Sequence, residues 1–156
     1  MRRLADELGI QAPSLYKHFP DKQSITTAVH VDYLVGQVRA LEAALAEANE
    51  EHPLVRVTRA YRTYACDNEP LYRYVFLLPY PQAEAADTLK RLRVQWMKAA
   101  GDSDLALAAY ALARGMVDME IHSLTPLNAS LDAAYNAGLA ALVARAELLR
   151  HSPVGR

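Results

Sequence analysis

The stretch from Leu4 to Phe19 constrains this chain more than any other: Leu-Ala-Asp-Glu-Leu, then Gly9, then Ile-Gln-Ala-Pro-Ser-Leu-Tyr-Lys-His-Phe. Leu4, Ala5 and Leu8, at i, i+1 and i+4, share the buried face of a helix predicted over 1–8. Gly9 ends that helix, because glycine accepts positive φ without steric cost. Ile10 is placed to anchor the turn in the core. A second helix begins near Ala12-Pro13, proline being favoured at a first helical position. Leu15 and Phe19 lie one turn apart and face inward. Two short helices across a glycine turn have the layout of a helix-turn-helix.

The rest of the chain also reads as helices. Pro20 breaks the second helix, and Asp21, with Ser24 following, is a plausible N-cap for a third. That third helix is predicted over 22–48, where Leu34, Val38, Leu41, Leu45 and Ala48 step by 4, 3, 4 and 3. It would be about 40 Å long, enough to join a headpiece to a separate body. After a polar break over 49–53 comes a helix over 53–68, with Leu54, Val57, Tyr61 and Tyr64 on one face. Glu69-Pro70 interrupts it. A short apolar segment over 71–78 ends at Pro79-Tyr80-Pro81. A helix over 82–100 turns Leu89, Leu92, Trp96 and Met97 inward, and the run from Gly101 to Asp104 is a turn plus N-cap.

Two helices close the chain. The first, over 104–124, carries two apolar faces: Leu105, Ala108, Leu112, Met116 and Met119 on one, Leu107, Tyr110, Val117, Ile121 and Leu124 on the other. Thr125-Pro126 stops it. The last, over 131–150, has Leu131, Tyr135, Leu139, Leu142 and Leu149 on one face, beside a strip of small residues, Ala134, Gly138 and Ala141. A helix apolar on both sides must be covered on both sides. One chain of 156 residues is small for that task, so these two helices are expected to pair with their copies in a four-helix dimer interface.

Composition narrows the class. Hydrophobic residues make up 52% of the chain, ample for a core, and alternating β-branched runs are absent, so the fold class is all-α. The net charge of −1 carries no global basic excess, so nucleic-acid binding has to rest on a local patch. Cys66 is the single cysteine, which rules out an intramolecular disulfide and suits a reducing cytoplasm. No apolar run reaches the roughly 18 residues of a membrane span. Arg2 and Arg3 are not followed by the apolar region of a signal peptide.

The segment from Met1 to Gln23 resembles the DNA-binding half of TetR-family transcriptional regulators, whose helix-turn-helix ends in a Leu-Tyr-x-His-Phe run with a lysine three residues on. Leu15, Tyr16, His18, Phe19 and Lys22 match that run. The final two helices resemble the family's dimerisation pair. The resemblance implies a homodimeric repressor whose headpieces read a palindromic double-stranded DNA operator. A small apolar or amphipathic effector in each body would alter headpiece spacing and release DNA. Recognition helices must sit about 34 Å apart to enter successive major grooves, so a modest change of helix angle suffices.

Roles follow by type. Gln11, Ala12, Pro13 and Ser14 open the recognition helix, where side chains meet base edges. Tyr16 and His18 match family positions that contact phosphates. Lys17 reaches phosphate or base. Lys22 sits at a helix start, where charge and N-terminus favour phosphate. Taken singly, Tyr16 could equally be a half-buried aromatic, and Lys17 and Lys22 ordinary solvated charges. Family members also place a further helix ahead of the point where this chain starts. The expectation is therefore an N-terminally truncated form, or an internal methionine taken as Met1. Leu4, Leu8, Leu15 and Phe19 would lose part of their cover, each fully exposed large side chain forfeiting roughly 1.5–3 kcal/mol, and DNA binding would be poor.

The division expected is a partial helix-turn-helix domain with its connecting helix over 1–48 and a helical ligand-binding and dimerisation domain over 49–156. Tyr61, Tyr64, Trp96, Met97, Met116, Met119 and His122 are candidates to line an effector pocket, apolar walls with a few polar tips; aromatic and Met stripes at helical spacing are also ordinary core. Asp118 and His122 share a helix face, but two ligands do not make a metal site, and no metal or other cofactor is expected. Arg114 interrupts an apolar face, either solvated or paired across a dimer with Asp118 or Glu120. Cys66 reads as a small buried apolar residue without an activating base. No nucleophile turn, phosphate loop or paired-carboxylate frame suggests an enzyme. The alternative to a ligand-responsive regulator is an all-α small-molecule-binding or dimerisation module that has lost DNA binding.

Overall fold

Gly9 closes the first turn in the left-handed region, at φ +64°. In the computed structural model, which describes residues 1–124 and 130–151, it separates α1 (Arg2–Glu7) from α2 (Ala12–His18). Pro13 lies in the first turn of α2, where its missing N–H has no helical partner to lose. Phe19 leaves the helix in an extended conformation. Asp21 then starts α3 (Lys22–Ala46) with a capping box: its Oδ1 accepts the Ser24 N–H at 2.7 Å, and Ser24 Oγ accepts the Asp21 N–H at 3.4 Å. The long helix ends at Ala46 rather than Ala48.

Packing in the headpiece differs from expectation. Ala5 and Leu15 are buried, but Leu4, Leu8 and Ile10 are exposed, Leu8 at 59%. Ala5 is the one residue of α1 that is buried, and the side bearing Leu4 and Leu8 stays open. Ile10 follows the left-handed Gly9 and is carried outward with the turn instead of into the core.

The body is built around α3. Beside it lie α4 (Pro53–Asp67), α5 (Glu69–Phe76) and α6 (Ala86–Ala100); α7 (Ser103–Ile121) packs on α4 and α6, and α8 (Leu131–His151) covers α7 and α4. Only Asn68 separates α4 from α5, and Pro70 falls in the first turn of α5, so it redirects the chain without ending helical structure. α6 begins at Ala86, later than position 82, because the turn after Pro81 is still closing: the Ala85 N–H donates to Pro81 O at 2.9 Å. Gly101, at φ +74°, ends α6, and Asp102 caps α7 by accepting the Leu105 N–H at 2.9 Å. α7 ends at Ile121, short of Leu124; Thr125-Pro126 falls outside the described residues.

The buried line of α7 is Leu105, Ala106, Ala109, Ala113, Val117 and Ile121; it takes Leu105 from one expected face and Val117 and Ile121 from the other, joined by alanines that neither face contained. Leu107 and Leu124 are exposed. Alanines form the contact because they let α4 and α6 come close, where leucines would hold them apart. The Leu112 side chain lies against Gly138 of α8, 3.0 Å from where a Cβ would stand. Tyr135 of α8 donates to Thr58 O at 2.9 Å. Arg62 of α4 reaches Glu120 at 2.7 Å and Asp132 at 2.6 Å, tying α4, α7 and α8 together. Among the described residues no strand occurs, and no helix is long and apolar enough to cross a membrane.

Candidate functional site

Leu15 fixes how α2 sits: buried on one side, it leaves the opposite side to solvent. Gln11, Pro13, Ser14, Tyr16, Lys17 and His18 are all exposed, as is Lys22 at the first position of α3; Ala12 is half-buried. The N-terminal end of α2 and the start of α3 therefore present polar and basic groups to solvent. Asp21 already accepts the Ser24 N–H, so a phosphate near α3 would depend on the Lys22 ammonium more than on the helix N-terminus. Exposed Arg2 and Arg3 of α1 add basic groups to the same headpiece.

The body holds a cleft of about 450 Å³ between α6 and α7, with Tyr80 of the α5–α6 connection at its side. Leu89, Leu92, Trp96 and Met97 of α6 and Leu107 and Tyr110 of α7 line it, with Arg93 and Asp104 as its charged groups. Of the residues expected in a pocket, Trp96 and Met97 are here. Tyr61 is buried against the wall, its ring edge-on to Trp96 and Tyr110 at 5.8 Å from each. The others stand elsewhere. Tyr64 packs on α3, donating to Tyr33 O at 3.1 Å, and borders a separate open groove of about 330 Å³ with Ala40 and Arg56. Met116 is half-buried against the core. Met119 is half-buried on α7, and His122 is exposed beyond its end.

Two groups of packed aromatic rings stand in the body. Tyr33 of α3 contacts Tyr72 and Phe76 of α5, and Trp96 contacts Tyr110 at 5.7 Å. The hydroxyls of Tyr33, Tyr61 and Tyr72 and the Trp96 Nε1–H are buried without a hydrogen-bond partner among the described residues. Burial pushes the Tyr72 and Tyr80 phenols up to about 12 and raises those of Tyr33 and Tyr61 as well. All four stay protonated at neutral pH and can donate. Sequence reasoning missed Tyr33, Tyr80 and Tyr110, which only the packing of distant segments brings together.

Arg114 differs most from expectation. It lies over the Phe76 ring, 4.2 Å from the centroid, with Nη1 3.4 Å from Tyr110 Oη. The acids expected as its partners are engaged elsewhere: Glu120 by Arg62, and Asp118 by His122 at 3.3 Å. Among the described residues no group of three or more potential ligands could hold a metal ion. Cys66 is half-buried, and burial raises its thiol, leaving it less reactive than a free thiol.

Residues 1–29 match the family model of bacterial regulatory proteins, tetR family. The tetracycline repressor protein class A from transposon 1721 of Escherichia coli is 32% identical over 120 residues, which make up 68% of this chain and 50% of that protein. The chain belongs to the TetR family. It spans about half the length of that curated relative. Solved structures show the same fold for this TetR-family chain. SCO4313 superposes with a TM-score of 0.78 at 19% identity, over 92% of this chain and 84% of that one. A Rhodococcus sp. RHA1 protein of unknown function gives 0.70 at 23%, over 90% and 81%. PfmR from Thermus thermophilus, a TetR family transcriptional regulator, gives 0.64 at 22%, over 90% and 85%.

Proposed function

We propose that this chain is a ligand-responsive DNA-binding transcriptional regulator, a repressor released from a palindromic operator by a small apolar or amphipathic effector, acting in the cytoplasm and not as an enzyme. The observation that carries the reading is the solvent face of α2. Gln11 and Ser14 open the helix toward base edges, while Tyr16, Lys17, His18 and Lys22 surround them with phosphate-binding groups. The cleft beside Trp96 supports an effector site, its volume and mostly apolar walls suiting a small molecule.

Dimerisation through α7 and α8 completes the reading. Ala134, Ala137, Ala141, Ala144 and Leu148 step along the exposed side of α8, and Ala108, Ala111 and Gly115 along the exposed side of α7. An all-apolar outer strip on two adjacent antiparallel helices is what a four-helix interface between copies requires. The division into a DNA-binding part over 1–48 and an effector and dimer part over 49–156 belongs to the same proposal, with α3 of the first part packed into the core of the second.

Fluorescence anisotropy on the promoter fragment beside the chain's own gene, at about 50 and 200 mM salt, tests this. Tight, sequence-selective binding that weakens with salt supports the regulator. A folded dimer with no selective binding favours the second reading, a small-molecule-binding module, for which the exposed Leu4, Leu8 and Ile10 are the specific observation: they leave the headpiece with an open apolar side.

A further inference from the structure

Arg114 is half-buried on α7 and takes part in no ion pair among the described residues. Its contacts are the Phe76 ring face and the Tyr110 hydroxyl. A guanidinium partly withdrawn from water without a counter-charge is costly. The groups around it share one deficiency. Arginine and the indole N–H can only donate hydrogen bonds. Trp96 Nε1, 3% exposed as a residue, and the hydroxyls of Tyr61 and Tyr72, wholly buried, have no partner among the described residues. Tyr110 links the two halves: its ring lines the cleft and packs on Trp96 and Tyr61, while its hydroxyl meets Arg114. Among the described residues this region thus offers a cation and several unpartnered donors, with neutral acceptors such as Tyr110 Oη but no anion beside Arg114.

Resting on the reading of this cleft as an effector site, we propose that its effector is an amphipathic organic anion, with an apolar body along Leu89, Trp96 and Met97 and a carboxylate-type head taken by Arg114 and the neighbouring phenols. A carboxylate supplies the missing counter-charge to Arg114 through charge-assisted bonds, the stronger class. An organic cation would suit the aromatic rings taken alone, but Arg114 already covers Phe76 and repels it. Among the described residues Asp104 is the one acid lining the cleft, and Arg93 lines it as well. Because Arg114 rests on Phe76 at the end of α5, an anion that draws the guanidinium away loosens α5 where it meets α7.

Trp96 is the single tryptophan, so its emission reports the cleft directly. The full chain is titrated with 4-phenylbutyrate, 4-phenylbutanol and 4-phenylbutylammonium, one body with three heads. The acid is expected to shift Trp96 emission saturably and to bind about tenfold tighter than the alcohol, the ammonium binding weakest. Arg114→Gln should erase the preference and Arg114→Lys retain part of it, with circular dichroism confirming the fold. Should Arg114→Gln fail to fold, Tyr110→Phe and the head-group order in the native chain decide. An alcohol bound as tightly as the acid, or a preference intact in Arg114→Gln, overturns the anion and leaves the cleft. No response of Trp96 to any of the three overturns the effector cleft itself.

Discussion

Thr26 Oγ1 and Tyr74 Oη lie 3.1 Å apart, joining the early turns of α3 to α5. Thr26 stands just beyond the capping box that connects the headpiece to α3, and its hydroxyl also reaches Lys22 O at 3.0 Å. α5 in turn contributes Tyr72 and Phe76 to the aromatic cluster, and Arg73 donates to the Ile121 carbonyl at the end of α7. α5 therefore links the cleft side of the body to the root of the headpiece. Tyr74→Phe is expected to destabilise the chain by about 0.5–1.5 kcal/mol and to speed amide exchange in the first turns of α3 while leaving α6 unchanged. Equal protection of α3 in both proteins would show that the contact carries no coupling.

The outer strip of α8 gives a direct test of assembly. Ala141→Glu places a charge in the middle of it and, the position being exposed in the single chain, should leave the fold intact. Sedimentation is expected to show dimers for the native chain and monomers for the variant, since an unpaired carboxylate buried in an interface costs several kcal/mol. A variant that stays dimeric places the interface elsewhere.

Acid should weaken folding through His30. This side chain is wholly buried on α3, edge-on to Tyr80 at 4.6 Å, with both ring nitrogens unpartnered among the described residues. Burial lowers its pKa from the ordinary 6.5. The folded state thus holds the neutral ring, and the unfolded chain binds the extra proton as pH falls below 6.5. Stability rises with pH in that range and is lost on acidification. His52 is shifted the same way, with burial the largest cause. Urea melts from pH 7 down to 5 should show falling midpoints, with a shallower slope in His30→Phe. Slopes that match in both proteins would assign the acid sensitivity to other groups.

Gly36 tests the packing of α4 on α3. A Cβ there would stand 2.1 Å from Tyr64 Oη and 2.7 Å from its Cζ, so Gly36→Ala must displace the ring and break its bond to Tyr33 O. A loss of about 1–3 kcal/mol is expected, shrinking when Tyr64→Ala is added, because the two residues compete for one space. Strict additivity of the two substitutions in denaturant melts would contradict the contact.

Local chemistry was legible in the chain and distant packing was not. Gly9, Pro13, Asp21 and Ser24 mark their turns and caps by short-range preferences, and they stand where expected. The inner line of α7 was read only in part, at Leu105, Val117 and Ile121, because Ala109 and Ala113 add little to an apolar stripe read from leucines, yet their small size lets the neighbouring helices approach. Trp96 and Met97, read from helical spacing as inward residues of α6, line the cleft. Tyr80 and Tyr110, far apart in sequence, reach the cleft only through the tertiary fold. Arg114 was read as outward or paired because charge in an apolar helix suggests solvent; Phe76 and Tyr110 give it an inner berth that no spacing rule reveals.

The face of α2 is best tested by the salt dependence of operator binding in the native chain and in Lys17→Ala. A phosphate contact at Lys17 predicts weaker binding across sequences and a log–log salt slope reduced by about 1. Unchanged affinity and slope in Lys17→Ala, with the native chain binding the promoter fragment selectively, would contradict DNA recognition through this face.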